Sequence, residues 1–260
     1  TGGASIYGNA LYRKENDGTF TEVSVQVNAE NYWPWGLSIG DLNADGFEDA
    51  FIASSMNYPF RYGVNSLLLN DHGKQFLDSE FVVGVEPRRG GRTTAFCFAL
   101  PSDMRDFSGS SKVYLDQICE GRDGDIEVWG ALGTRSSVIF DVENDGDLDI
   151  ITNEFNAEPM VLVSDLSEKK SLRFIQVQLV GTTSNRDALG AKVVLHSASG
   201  TQTRFHDGQS GYLSQSRAPL YFGLDDDTSV SKIEVFWPSG KKQIVNGPID
   251  TNQTLTVNEE

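Results

Sequence analysis

Short apolar runs alternate with polar, Gly-rich turns along most of the chain, and helical periodicity is scarce. From about Lys170 onward the runs RFIQVQLV, AKVVLHS, SKIEVFW and QTLTVNE place apolar residues at every second position. That period is the signature of half-buried strands. In the third run Ile233, Val235 and Trp237 share one face. The clusters TTSNRDALG, ASGTQ, HDGQSG, LDDDTS and PSGKK separate the runs as turns. The pattern predicts a compact all-β unit over residues 170–260, a sandwich or jelly-roll-like barrel. SDLSEKK, Ser164 to Lys170, reads as a polar linker in front of it.

The first 165 residues show a repeat. NALYRKENDGTF (Asn9 to Phe20) and NSLLLNDHGKQF (Asn65 to Phe76) match at an offset of 56 residues, each reading as two strands around a polar turn. A period of that size fits a propeller blade of four strands. Between these hairpins stand WGLSIG, an acidic stretch and DAFIAS. A second acidic stretch is framed in the same way by SSVIF and DIITN. The two acidic stretches lie 100 residues apart, so the excess over one period falls between Phe81 and Arg135 and reads as an insertion. It contains Cys97 and Cys119, the only cysteines. They permit one disulfide or two free thiols, and their spacing fits no zinc pattern.

The acidic stretches carry the chemistry. DLNADGFED has Asp41, Asn43, Asp45 and Asp49 at positions 1, 3, 5 and 9. Gly46 stands where a tight turn needs positive φ, and Phe47 can turn its carbonyl inward. The second loop, DVENDGDLD, repeats the scheme with Asp141, Glu143, Asp145, the carbonyl of Asp147, and Asp149. Hard oxygen ligands converging within nine residues suit Ca²⁺ better than Mg²⁺, with its stricter octahedral demand. About two Ca²⁺ per chain are expected. An EF-hand is excluded by position 12, which is Ile52 or Thr152 rather than a bidentate Glu, and by the strand-forming AFIA and IIT that follow.

Composition agrees with this picture. Hydrophobic residues make up 38%, with 26 Gly and 15 Phe against 3 Met, which favours short strands over long helices. The net charge of −16 repels phosphate backbones, so nucleic acid is excluded as a partner. No run of eighteen apolar residues is present, hence no membrane-spanning helix is expected. The chain starts Thr1-Gly2-Gly3 and reads as a mature or excised piece.

WGLSIGDLNADGFEDAFIAS and SSVIFDVENDGDLDIITNEFN resemble the FG-GAP/VCBS repeats of integrin-α-like β-propellers. SNRDALGAKVVL, DGQSGYLSQSRAPLYFGL and SKIEVFWPSGKKQ resemble the ASPIC/UnbV domain that follows such propellers in the cartilage acidic protein family and its bacterial relatives. The resemblance implies an all-β chain. A partial propeller occupies 1–165, with the insertion at about 81–135, and a β-sandwich-like ASPIC/UnbV domain occupies 170–260. It also implies an extracellular, cell-surface or periplasmic calcium-binding protein used in adhesion or interaction, with no established catalytic residues to carry over. A propeller needs at least about four blades, and at 56 residues each the first 165 hold roughly three. The remaining blade edges then need cover, for which the N-terminal part of the same propeller is one candidate.

No catalytic constellation stands out. His206 and Asp207 are strand neighbours that point to opposite faces, GQSGY is not a nucleophile elbow, and no phosphate loop appears. Tyr32, Trp33, Trp35 and Tyr58 around the first loop, with Tyr212, Arg217, Tyr221 and Trp237 later, read as core packing or as a platform for a partner. Two functions follow: a binding module for protein or carbohydrate, with structural calcium, or a polysaccharide-active enzyme. The enzyme would need free paired carboxylates about 5 to 9.5 Å apart in a cleft.

Overall fold

A computed structural model describes residues 8–31, 34–54, 63–88, 95–100, 124–129, 132–155 and 157–260, with strand pairing alone for 95–100 and 124–129. The described strands are almost entirely antiparallel and close no barrel. β1 (Tyr12–Lys14) and β2 (Phe20–Glu22) form a hairpin. β3 (Pro34–Gly40), β4 (Asp49–Ser54), β5 (Ser66–Asn70) and β6 (Phe76–Asp78) form one four-stranded sheet in sequence order, as a propeller blade does. The repeated hairpins are β1–β2, a two-stranded sheet, and β5–β6, the last pair of the four-stranded one. β7 (Ala95–Leu100) and β8 (Gly124–Trp129) pair within the expected insertion. Residues 89–94, 101–123 and 130–131 of that insertion lie outside the described residues, and so do Cys119, Tyr32, Trp33 and Tyr58.

β9 (Thr134–Phe140), β10 (Asp149–Glu154) and β11 (Val161–Leu162) build the next, three-stranded blade. DAFIAS is buried along its whole length because β4 lies inside its sheet and is covered on both faces. Phe51 and Ala53 pack with Leu67, Val85 and Ile150 of the neighbouring blade, whereas Ala50 and Ile52 pack with Leu68 on the other face. The first strands of the two blades meet through small side chains. Ser38 Oγ lies 2.7 Å from Ser137 Oγ, and Ser210 Oγ of the following unit donates to the Ser137 carbonyl at 2.9 Å.

A four-residue helix, α1 (Leu166–Lys169), leads into the last unit. There β12 (Phe174–Val180), β15 (Leu220–Gly223) and β18 (Gln253–Asn258) form one sheet; β13 (Ala191–His196), β14 (Thr201–His206), β16 (Ser229–Phe236) and β17 (Lys242–Asp250) form the other. The predicted alternation holds: Ile175, Val177, Val193, Leu195, Phe222, Ile233, Val235 and Trp237 share a single core between the two sheets. Each fully buried aliphatic or Phe side chain contributes about 1.5–3 kcal/mol to that sandwich. The odd positions of β12 fill the core, so Phe174 and Gln176 face outward, in register with Gly223 and Tyr221 of β15.

Glu259 ties the C-terminus to the sandwich. Its Oε2 accepts the backbone N–H groups of Thr182, Thr183 and Ser184, and its Oε1 accepts the hydroxyls of Ser184 and Ser239. Burial pushes this carboxyl up, but the hydrogen bonds from Ser239, Ser184 and Thr182 outweigh it and hold the pKa at about 2. A depressed carboxylate pKa gives stability that is complete above the unfolded value of about 4.3 and lost as pH falls toward the folded one. Melting curves from pH 7 down to pH 2.5 are expected to show a steeper loss for the wild type than for Glu259→Gln, which is already destabilised at pH 7. Parallel curves would remove the anchor role.

Candidate metal sites and the face that covers them

The two acidic loops occupy the same place in their blades. The first runs from Gly40 to Asp49, which are paired across β3 and β4; the second runs from Phe140 to Asp149, paired across β9 and β10. Gly46 and Gly146 have φ of 92° and 98°, as the turn at position 6 demands. Position 4 is left-handed too, at Ala44 (φ 57°) and Asn144 (φ 60°), a feature with no signal in the Ala of the first loop.

The hydrogen bonds also repeat. Asp41 Oδ1 accepts the N–H of Asp45 at 3.0 Å and Oδ2 that of Gly46 at 2.8 Å. Asp141 takes Asp145 at 3.2 Å and Gly146 at 3.0 Å. Asn43 Oδ1 accepts the same Asp45 N–H at 3.1 Å, which brings the oxygens of positions 1 and 3 to one point. Asp45 Oδ1 and Asp145 Oδ1 accept the N–H of Phe47 and Asp147. Asp49 and Asp149 have both oxygens on backbone: one on position 2 (Leu42 or Val142), the other on the strand or segment beyond (Asn70 or Ser164). The position-9 aspartates therefore staple the hairpin to its neighbour. Glu143 is exposed and makes no hydrogen bond or ion pair among the described residues.

Among the described residues no three acidic, His or Cys side chains stand together as a metal cage. To hold a cation each loop would need a backbone carbonyl in addition, and the first the amide oxygen of Asn43. The donor chemistry nevertheless fits a hard cation. Burial, together with neighbouring Asp45, pushes Asp41 up to about 6; burial above all pushes Asp49 up to about 7, against the N–H bonds it accepts. Burial raises Asp149 as well. Asp147 Oδ1 is buried without a hydrogen-bond partner. Sequence reasoning assigned Asp147 only a carbonyl role. An ionised carboxylate has about four lone-pair positions, so an oxygen that accepts one N–H can still meet a cation.

The segment read as a linker is attached to these loops. Ser167 N–H donates to Asp147 Oδ2 at 2.7 Å, Ser167 Oγ to Asp145 Oδ2 at 2.6 Å, and Lys170 Nζ to the Asn43 carbonyl at 2.7 Å. Beyond it, Tyr221, Leu172, Ala44 and Leu148 form an apolar cluster joining both loops to the sandwich. A cleft of about 880 Å³ opens beside this contact, lined by Trp35, Leu37, Ile39, Arg204 and Tyr212 among others. Trp35 meets Tyr212 edge-on at 5.5 Å and carries the Arg135 guanidinium at 4.2 Å. The acids of the cleft are engaged: Glu48 pairs with Arg204 at 3.0 Å, Asp207 accepts the N–H of Gln209, and Asp41 and Asp141 belong to the loops.

Comparison with known proteins agrees with this architecture. Residues 3–52 match the FG-GAP-like repeat, and residues 181–260 match the ASPIC and UnbV domain. The chain joins an FG-GAP-like repeat to an ASPIC/UnbV domain. The second acidic loop lies between the two matched stretches. The chain is 29% identical over 269 residues to cartilage acidic protein 1 of Xenopus tropicalis, covering 94% of this chain and 40% of that protein. It is 30% identical to the proteins of the same name from Mus musculus and Homo sapiens, over 90% of this chain and 38% and 37% of theirs. The chain thus spans about 40% of the length of these relatives. In the ASPIC/UnbV domain the outward residues Tyr221 and Gly223 belong to the YFGL stretch. No helix among the described residues is long and apolar enough to cross a membrane.

Proposed function

We propose that this chain is an extracellular interaction module whose blades are held by two structural Ca²⁺ ions, one in each acidic loop. The observation that carries the reading is the matched pair of loops: the same oxygen-rich scheme in the same blade hairpin, with buried carboxylates pushed toward neutrality when no cation balances them. Asp41, Asn43, Asp45 and the Phe47 carbonyl would hold the first ion. Asp141, Asp145 and the Asp147 carbonyl, joined by its unpartnered Oδ1, would hold the second. Asp49 and Asp149 keep each hairpin closed beneath the site. A bound Ca²⁺ supplies positive charge that lets these carboxylates stay ionised side by side.

The cleft beside Trp35 and Tyr212 is the surface offered to a protein or carbohydrate partner. Its engaged carboxylates favour binding over hydrolysis, which needs a free acid and base. Metal analysis of the purified whole chain tests the calcium reading. About two Ca²⁺ per chain are expected, falling by one in Asp45→Asn and by one in Asp145→Asn. A metal content near zero after equilibration with millimolar Ca²⁺ would refute it.

A further inference from the structure

The outward face of the β15–β12–β18 sheet gives each acidic loop a donor from outside its own blade. Gly223 N–H donates to Asp41 Oδ2 at 3.1 Å, and Gln176 Nε2 donates to Asp141 Oδ2 at 3.0 Å. Both acceptors are the same oxygen of the position-1 aspartate, already bound to the position-6 glycine. Tyr221 stands between the loops, its hydroxyl on the Gly146 carbonyl at 2.8 Å and its ring stacked on Phe174 at 5.5 Å. Gln176 and Tyr221 are directly paired across β12 and β15, and Phe174 pairs with Gly223. One patch of one sheet therefore touches both loops, and its contacts form or break together.

We propose that the sandwich is the outer wall of both calcium sites, so that its docking on the blades and Ca²⁺ binding are one coupled equilibrium. This rests on the calcium reading above. The added donor fixes the position-1 carboxylate, holding Oδ2 toward the sandwich and leaving Oδ1 on the loop side beside Asn43. Excluding water from the loop strengthens the attraction between cation and carboxylate. Without the ion, the same docking confines the buried Asp41 carboxylate beside Asp45, and Asp141 beside Asp145. Docking therefore raises Ca²⁺ affinity, and by reciprocity Ca²⁺ tightens docking by the same factor. The fit at Gly223 is close: a Cβ there would sit 2.1 Å from Asp41 Oδ2 and 2.6 Å from the Ala44 backbone.

Calorimetric titration of the calcium-stripped whole chain with CaCl₂ tests the coupling. Gly223→Ala is expected to weaken the first-loop site, and Gln176→Ala the second, each by roughly 5- to 150-fold. Titrations in the Asp145→Asn and Asp45→Asn backgrounds, which leave one site each, assign the losses. Hydrogen exchange at the Gly223 amide, which directly reports the latch to Asp41, is expected to slow when Ca²⁺ is added. Ile249→Val trims the sandwich core away from the loops; it should lower stability and leave both affinities unchanged. Unchanged affinity in Gln176→Ala and Gly223→Ala, or Gly223 exchange indifferent to Ca²⁺, overturns the coupling and leaves the calcium reading standing. Absence of Ca²⁺ uptake by the wild type refutes the calcium reading itself. If Gly223→Ala fails to fold, Gln176→Ala and the wild-type exchange experiment decide.

Discussion

Replacing Arg88 by Met is expected to destabilise the chain by about 3–5 kcal/mol, the cost of leaving buried carboxylates without their cation. The Arg88 and Glu86 side chains are wholly buried, with Nε 3.2 Å from Glu86 Oε1. Nη1 donates to Glu154 Oε2 and to Thr134 Oγ1, each at 3.0 Å, and Nη2 donates to the Gly63 carbonyl. Thr134 and Thr152 hydroxyls meet Glu154 Oε1, and Asn65 bridges Ser54 to Thr134. Asn65 and Glu86 belong to the first blade and its following turn; Thr134 and Glu154 begin β9 and end β10. The network thus pins the two blades at the ends farthest from the acidic loops. Against a total stability of about 5–15 kcal/mol, the loss is a large fraction of what holds the chain folded. Urea denaturation should show a lowered midpoint with unchanged slope. Adding Glu86→Gln and Glu154→Gln to Arg88→Met should recover part of it, because neutral amides leave no unpaired charge. A loss below about 1 kcal/mol for Arg88→Met would mean that packing, not the ion network, joins the blades.

On the proposed calcium reading, removing Ca²⁺ is expected to have the second large effect. A ligand present at 100 times its Kd stabilises the folded state by about 2.7 kcal/mol, so two such sites contribute about 5 kcal/mol. For a chain of this size that corresponds to a fall of roughly 10–20 °C in melting temperature on chelation. The pH dependence of the stripped chain has a definite sign. Asp41 and Asp49 sit at about 6 and 7 when folded, above the ordinary carboxylate value. Between the two values the folded state binds more protons than the unfolded one. Their contribution is thus most favourable below about pH 4 and falls as pH rises through 6 and 7. Scanning calorimetry of stripped protein in calcium-free buffers between pH 4.5 and 7.5 should show this decline, and saturating Ca²⁺ should abolish it. A melting curve that ignores excess EGTA, starting from protein shown to hold Ca²⁺, would end the structural-clamp reading.

Local patterns announced much of this. The 56-residue repeat of NALYRKENDGTF and NSLLLNDHGKQF located the hairpins β1–β2 and β5–β6, because a turn and its flanking apolar residues are written in adjacent positions. The alternation in AKVVLHS and SKIEVFW put Val193, Leu195, Ile233 and Val235 in one core for the same reason. Tertiary neighbours were not announced. Alternation assigned Gln176 to the face opposite Ile175 and Val177, but nothing in RFIQVQLV says what that face meets. One available sign was Gly223 inside a strand, which commonly marks close backbone approach. SDLSEKK read as a spacer because its residues are polar; in the fold Ser167 and Lys170 spend that polarity on the two loops. Glu143 matches a ligand position by spacing, and in the fold it is exposed. Asp49 and Asp149 read as ligands from their place in the loop; that they also accept the N–H groups of Asn70 and Ser164 was not legible, because those donors lie on a strand and a segment outside the loop.

The bond from Gly223 to Asp41 joins residues 182 positions apart. At about 5–20 residues per second of synthesis, Asp41 leaves the ribosome roughly 10–40 s before Gly223 exists to cover it. For that interval the first acidic loop is an open, self-repelling turn, and the blade it belongs to must stand without its outer wall. The loop therefore stays uncovered until residues 170–223 have been made, so the blade has to hold its shape through that interval on its own hydrogen bonds and packing.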